Sequence, residues 1–320
     1  MRIFLILDFF IKFFYNYSIK KNKIKERILI KMFNLKKKSE KNLSLDILYK
    51  DEIDTILNAF NIPENLGRGY FDFYSNIGKE LEDYQLRNFI DDIVSDISAY
   101  TPISVRYGVS KLVIIPQNFP FVIKIPFNGC FYFNDSEMPD FGEKYSEKDF
   151  PTSKEYYDFI AEKEEEWAVE NFEESTFFEP FTGANEEFPE DYCFEEFQIY
   201  ETVKDRGFSD FFANTIFYTE KDGRKIYIQE KACTYNAGGK TSPSKNSLNK
   251  VQKLGIHSYF GSSWVALAID FYGEALVQKF IDYIEIDEDD IDVGNDMHND
   301  NYGYRLDGSP CIIDFSGWRE

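Results

Sequence analysis

Apolar residues recur every three or four positions through residues 43–62. They do so again through 81–100, where Leu81, Tyr84, Leu86, Phe89, Ile90, Ile93 and Ile97 fall on one side. That period is helical, and Thr101-Pro102 supplies a stop. Segment 42–102 is therefore predicted as a helical preface. From Ile103 the pattern shortens. Ser104–Ile115 reads as strand, turn at Gly108, strand; Pro116–Pro120 makes the next turn; Phe121–Pro126 is a third strand. The expectation is an antiparallel meander.

Beyond it, Tyr192–Phe212 carries Phe194, Phe197, Ile199, Tyr200 and Val203 at helical spacing, with Gly207 placed to close the helix. Lys225–Lys231 alternates as a strand after the Asp222-Gly223 turn, residues 237–247 read as a loop, and Trp264–Ile284 as one long amphipathic helix. Tyr302–Ile313 forms a hairpin about Asp307-Gly308.

Charge alters this picture in two places. The total is −21, but residues 1–41 hold twelve Lys/Arg against three acids, leaving −30 on the rest. An acidic body argues against nucleic acid as a partner. Residues 134–191 carry twenty Asp/Glu against four Lys and read as an acidic insertion with a helix near Glu155–Glu170, its charges solvated. The stretch Met1–Tyr15 is apolar but broken by Asp8 and Lys12. It is shorter than the roughly 20 apolar residues a bilayer span needs, and no signal-peptide cleavage site follows. Two readings stay open: an amphipathic surface anchor backed by the basic run Lys20–Lys41, or an over-extended start, with Met32 opening the domain. Cys130, Cys193, Cys233 and Cys311 lie far apart and only His257 and His298 accompany them. The expectation is four reduced core thiols in a cytoplasmic protein, without structural zinc.

The chemistry concentrates near the C-terminal hairpin. Its closure brings Asn301 and Asp314 side by side, and their oxygens suit a hard cation such as Mg²⁺. Asp296 would face the same space, where a carboxylate can accept or orient a hydroxyl proton.

This arrangement resembles the catalytic loop and metal motif of the protein-kinase-like superfamily: Asp, four residues, Asn, a hairpin, then Asp-Phe-Gly. Asp296, Asn301 and Asp314-Phe315-Ser316-Gly317 match it, with a serine inserted. His298 stands where aminoglycoside-phosphotransferase-like members often carry His, and Asp296-Met-His-Asn-Asp-Asn301 is also similar to the Asp-x-His-x-x-Asn of phosphatidylinositol kinases. Upstream, Val122-Ile-Lys124 resembles the third-strand lysine motif, and Tyr107–Ser110 stands where the phosphate-covering loop would be, with one glycine instead of three. Glu195 or Glu196 would pair with Lys124; Glu196 is favoured by its spacing to Tyr200 and Val203. Ile226–Ala232 resembles the fifth strand and hinge.

The resemblance implies an α+β, protein-kinase-like bilobal fold, with an antiparallel N-lobe sheet, one key helix and a truncated, mainly helical C-lobe. The segments would be an arm at 1–41, the preface at 42–102, an N-lobe at 103–232 with insertion 130–191, and a reduced C-lobe at 233–320. It implies catalytic roles for Asp296 and His298, and metal binding by Asn301 and Asp314. Nucleotide binding would fall to Lys124, Glu196, Gly108, Ser110, Gln229 and Glu230. The expected cofactors are ATP and Mg²⁺, and the expected activity is phosphoryl transfer to an unidentified protein or small molecule. A nucleotide-binding pseudokinase or scaffold, or a nucleotidyltransferase, are the alternatives. Localisation would be cytoplasmic, with residues 1–41 available for peripheral membrane contact.

Overall fold

The computed structural model describes residues 44–70, 84–108, 110–134, 136–181, 191–237, 241–254, 260–286 and 299–315. The chain divides into two compact units, Met1–Tyr49 and Lys50–Glu320. The described part of the first holds helix α1 (Leu45–Leu48). The second is mixed α+β with several sheets. Its elements run α2 (Lys50–Asn58), β1 (Gly67–Tyr70), α3 (Tyr84–Ser98), β2 (Ile103–Tyr107), β3 (Lys111–Pro116), β4 (Phe121–Pro126), β5 (Gly129–Phe133), α4 (Phe141–Lys144), α5 (Ser153–Ser175) and β6 (Thr176–Pro180). There follow α6 (Tyr192–Asp205), β7 (Thr215–Lys221), β8 (Arg224–Glu230), β9 (Ala232–Thr234), α7 (Lys245–Leu254), α8 (Ser262–Tyr272), α9 (Glu274–Ile286), β10 (Tyr302–Arg305) and β11 (Pro310–Ile312).

The expected meander forms β2, β3 and β4, and β8 and β7 extend it into a five-stranded antiparallel sheet in the order β2-β3-β4-β8-β7. Strand β4 is buried along its whole length, so the sheet is covered on both faces at this central strand, and such strands lose the alternation of a half-wet one. Helix α3 packs against β2, and α6 lies against β4 and β7. The register opposes Val113 to Lys124 and Lys124 to Tyr227, so these side chains share one face. Phe197 of α6 packs against the Tyr227 ring, which places α6 on that face. Asp222 (φ 50) and Gly223 (φ 74) make the tight left-handed turn joining β7 to β8.

A second sheet, β11-β10-β9, carries the C-terminal hairpin. Its β10 is held against α8 by Trp264, whose Nε1 donates to the Gly303 carbonyl at 2.9 Å. Phe211 stacks on Phe280 of α9 with centroids 4.1 Å apart, tying the start of β7 to the same helical core.

Several features differ from the sequence expectation. The segment expected to be wholly helical contains β1, which pairs in parallel with β5; β5 pairs antiparallel with β6, so a third sheet brackets the acidic insertion. Helix α5 spans Ser153–Ser175 and is anchored to β5 by Phe133 against Trp167 and Phe172. Helix α6 ends at Asp205, and Gly207, at φ 82, closes it as expected, so the residues from 208 to Phe212 lie beyond the helix. The single helix expected over Trp264–Ile284 is two, α8 and α9, broken at Gly273. Cys130, Cys193 and Cys311 are buried free thiols as expected, whereas the Cys233 thiol, on β9, is exposed. Among the described residues no helix is long and apolar enough to cross a membrane.

Gly273 adopts φ 87 and ψ 147, a region in effect reserved for glycine, although a Cβ there would meet nothing within 4 Å. Gly273→Ala is therefore expected to destabilise the fold by about 1–3 kcal/mol through backbone strain alone. Urea unfolding checks this, and an unchanged midpoint would show that the α8–α9 break does not depend on glycine.

Candidate functional site

Helix α6 begins at Asp191, whose carboxylate accepts from the Phe194 amide at 2.9 Å. The same side chain accepts from the Tyr227 hydroxyl at 2.8 Å, fixing the helix start over β8. Along α6 the buried positions are Cys193, Glu196, Tyr200 and Val203, a stripe at helical spacing facing the sheet. Glu196 thus lies in the middle of an otherwise apolar contact surface, with 0% of it exposed. A carboxylate buried in this way needs hydrogen-bonded counter-charges.

Two lysines provide them. Lys124 of β4, 3% exposed, donates to Glu196 Oε2 at 2.6 Å. Lys111 of β3, 5% exposed, donates to Glu196 Oε1 at 2.5 Å and to Asp314 Oδ1 at 2.9 Å. Lys124 also lies 3.5 Å from the Ile313 carbonyl. The four side chains form a charge-balanced chain linking the sheet, the helix and the end of the hairpin. Burial favours a neutral Glu196 and, despite the two lysines, holds its carboxyl above the usual range. Burial opposes the charge on Lys111, but Asp314 and Glu196 outweigh it and keep the ammonium well above its ordinary value. Burial also opposes the Asp314 anion, yet Lys111 and Lys124 hold that carboxyl far below the ordinary carboxylate range.

The hairpin does what its sequence implied. The Asn301 carbonyl accepts from the amides of Ile313 (2.7 Å) and Asp314 (3.1 Å), so the two residues are neighbours. Asn301 itself is buried. Arg305 anchors this end of the molecule: its guanidinium donates to Glu230 Oε2 (2.8 Å), the Tyr272 hydroxyl (2.9 Å) and the carbonyls of Pro310 (3.0 Å) and Phe212 (2.6 Å). It thereby joins the end of β8 to the hairpin, α8 and the start of β7.

The remaining expected site residues are placed as follows. Gly108 is exposed in the β2–β3 turn, its amide donating to the Lys111 carbonyl at 3.1 Å, and the Ser110 carbonyl accepts from Phe127 at 2.9 Å. Gln229 is fully buried and donates to Thr215 Oγ1 at 2.8 Å. The main-chain amides of Glu230 and Lys231 are committed to the carbonyls of Asn214 and Pro120, and the Glu230 carboxylate to Arg305. Glu195 is half-buried beside the chosen Glu196. Asp296 and His298 lie outside the described residues, as do Ser316 and Gly317.

Two site residues escaped the sequence reading. Lys111 opens a strand and looks like a solvated lysine there; only the β3–β4 register puts it on the Lys124 face. Arg305 sits inside the hairpin, and its partners come from distant segments.

The carboxylates of Asp314 and Glu196 and the Ile313 carbonyl are oxygens of the kind a divalent cation takes. As arranged, however, the Lys111 ammonium already touches both carboxylates. Among the described residues no group of three or more His, Cys, Asp or Glu is disposed to hold a metal. No family model, curated protein or solved structure matches this chain.

Two outcomes test this geometry. Glu196→Ala leaves the buried Lys124 ammonium without its carboxylate partner and Lys111 without one of its two, and is expected to cost about 3–5 kcal/mol in urea unfolding; a cost below about 1 kcal/mol would mean the carboxylate is dispensable. Because the folded-state pKa of Asp314 lies below its unfolded value, its stabilisation is full at neutral pH. It declines as pH falls below about 3.9. The stability gap between wild type and Asp314→Asn should accordingly narrow on acidification, whereas a gap constant from pH 7 to pH 2 would contradict the pairing.

Proposed function

We propose that residues 50–320 form a kinase-like, bilobal nucleotide-binding core that transfers a phosphoryl group from ATP to a hydroxyl-bearing acceptor. The observation that carries this reading is the contact of Lys124 with Glu196. A lysine on the third strand of an antiparallel meander meets a buried glutamate on a helix packed against that face, within one ammonium (Lys111) of an aspartate that follows the terminal hairpin. Lysine, helix glutamate, Asn301 and Asp314 also occur in the order the superfamily uses.

Phosphoryl transfer makes little covalent demand on a protein; catalysis is chiefly positioning and charge stabilisation. In this reading Lys124, oriented by Glu196, presents its ammonium to the phosphate oxygens. The bond between the γ-phosphorus and the ADP oxygen breaks as a bond to the acceptor oxygen forms. The acceptor's proton passes to Asp296, the carboxylate assigned to that task from the sequence. Arg305 holds the end of β8 and the hairpin in fixed relation, so that the sheet bearing Lys124 and the segment bearing Asp314 keep their spacing. The free thiols fit a reducing compartment such as the cytoplasm.

A second reading, nucleotide binding without transfer, is favoured by one observation: Asp314 is already engaged by Lys111.

Incubation of the protein, with candidate acceptors from a lysate, in Mg²⁺ and ATP labelled on either the γ- or the α-phosphate separates these readings. Label transferred from γ-ATP alone, and lost in Asp314→Ala, is the expected result. Transfer from α-ATP would instead mark a nucleotidyltransferase. An ATP-induced rise in melting temperature without transfer would mark a binding module, and no rise and no transfer would remove the site assignment.

A further inference from the structure

The geometry points to Lys111 as a tethered cation that takes, between Asp314 and Glu196, the place of a divalent metal ion. Lys111 is the first residue of β3. Because Val113 opposes Lys124 and side chains alternate along a strand, Lys111 projects from the same sheet face as Lys124, one diagonal step away. Lys124 is sufficient to neutralise Glu196, with Nζ 2.6 Å from Oε2. Lys111 does something further: one ammonium touches Glu196 Oε1 and Asp314 Oδ1 at once, at 2.5 and 2.9 Å. Bridging two carboxylates from two separate segments is the task a hard cation performs in an oxygen site, and here the bridging charge is covalently attached to the chain.

The surroundings are consistent with this. Glu196 is wholly buried, whereas the Asp314 side chain is about a third exposed, with 32% of its surface accessible. The pair is thus approached by solvent, and by ions, from the Asp314 side. The Ile313 carbonyl adds an oxygen beside it, 3.5 Å from Lys124. With Lys111 present the four charges cancel. Neutralising Lys111 removes a positive charge that touches both carboxylates, and in a partly dehydrated site that loss raises the attraction for a divalent ion. Ammonium and metal therefore compete for the same oxygens, and in the native chain the ammonium, held at the site by its own strand, prevails.

The consequence extends beyond phosphoryl transfer. The native protein is expected to carry little divalent cation at this position in the absence of a ligand, and a polyanion entering the site meets two ammonium groups that require no metal to be in place. The inference stands on the contacts of Lys111, and would hold even if the anion were not a nucleotide.

The test is Mn²⁺ binding to the full chain without nucleotide, read by electron paramagnetic resonance of the free ion. Wild type and Lys111→Arg, which keeps the charge, are expected to bind weakly. Lys111→Met, which keeps the bulk of the stem without the charge, and Lys111→Gln are each expected to bind at least about tenfold more tightly, and the gain should vanish when Asp314→Asn is added. Equal binding by wild type and both neutral variants would overturn the proposal and leave Lys111 as an ordinary buried ion pair. Tight Mn²⁺ binding by wild type that Asp314→Asn abolishes would overturn it as well, however the Lys111 variants fold. An ATP-induced melting shift, measured in parallel on wild type, reports on the nucleotide reading separately, so failure of one is distinguishable from failure of the other.

Discussion

The arrangement of the larger unit turns on a single buried carboxylate. Glu196 occupies a position on α6 that an apolar residue would fill more cheaply, since removing an ionised group from water costs several kcal/mol even after relaxation. It is tolerated because two ammonium groups meet its two oxygens, Lys124 from β4 and Lys111 from β3. This requirement fixes the rotation of α6 about its axis, the face of the sheet on which it lies, and the register by which both lysines reach the same point. Through the second contact of Lys111, with Asp314, it also fixes where the segment after the hairpin must run. Ion pairs of this type contribute little net stability compared with well-packed apolar side chains. Their effect is to exclude other arrangements, because any shift leaves a charge buried and unpaired.

The remainder of the fold holds these elements at the required distances. Both faces of the central strand β4 are covered, which explains why it is apolar at every position except Lys124. Arg305 takes over where the sheet ends, satisfying carbonyls of Phe212 and Pro310 and the carboxylate of Glu230 from one guanidinium. The helical core around Trp264, Phe280 and Tyr302 then buries the hairpin from the other side. The acidic insertion, by contrast, is tied down by the β5–β6 ladder and by aromatic contacts of α5 with Phe133 of β5 and Tyr84 of α3.

Much of this was legible in the sequence where local pattern and tertiary demand coincide. The meander, α6 with its glycine stop and the Asp307-Gly308 hairpin follow from periodicity and turn chemistry. Lys124, Glu196 and Asp314 were picked out by the resemblance to the kinase-like motifs, whose order they keep. Legibility failed where neighbours in space are distant in sequence. Gly129–Phe133 and Thr176–Pro180 are strands only because they pair with each other and with Gly67–Tyr70, and the charge of the surrounding tract masked their aromatic content. Gly273 lies within an otherwise continuous helical pattern, so the period gave no sign of a break. Lys111 needed the β3–β4 register before its direction could be known.

If the Lys124–Glu196–Lys111–Asp314 cluster is the seat of a polyphosphate, as proposed, a crystal structure of the full chain with a non-hydrolysable ATP analogue tests it most directly. Phosphate oxygens are expected within hydrogen-bond distance of Lys124 Nζ, with Lys111 turned from Asp314 toward the same phosphates and Glu196 still bonded to Lys124. An analogue bound elsewhere, or a saturated crystal in which both lysines keep their carboxylate partners and no phosphate lies near them, would contradict it.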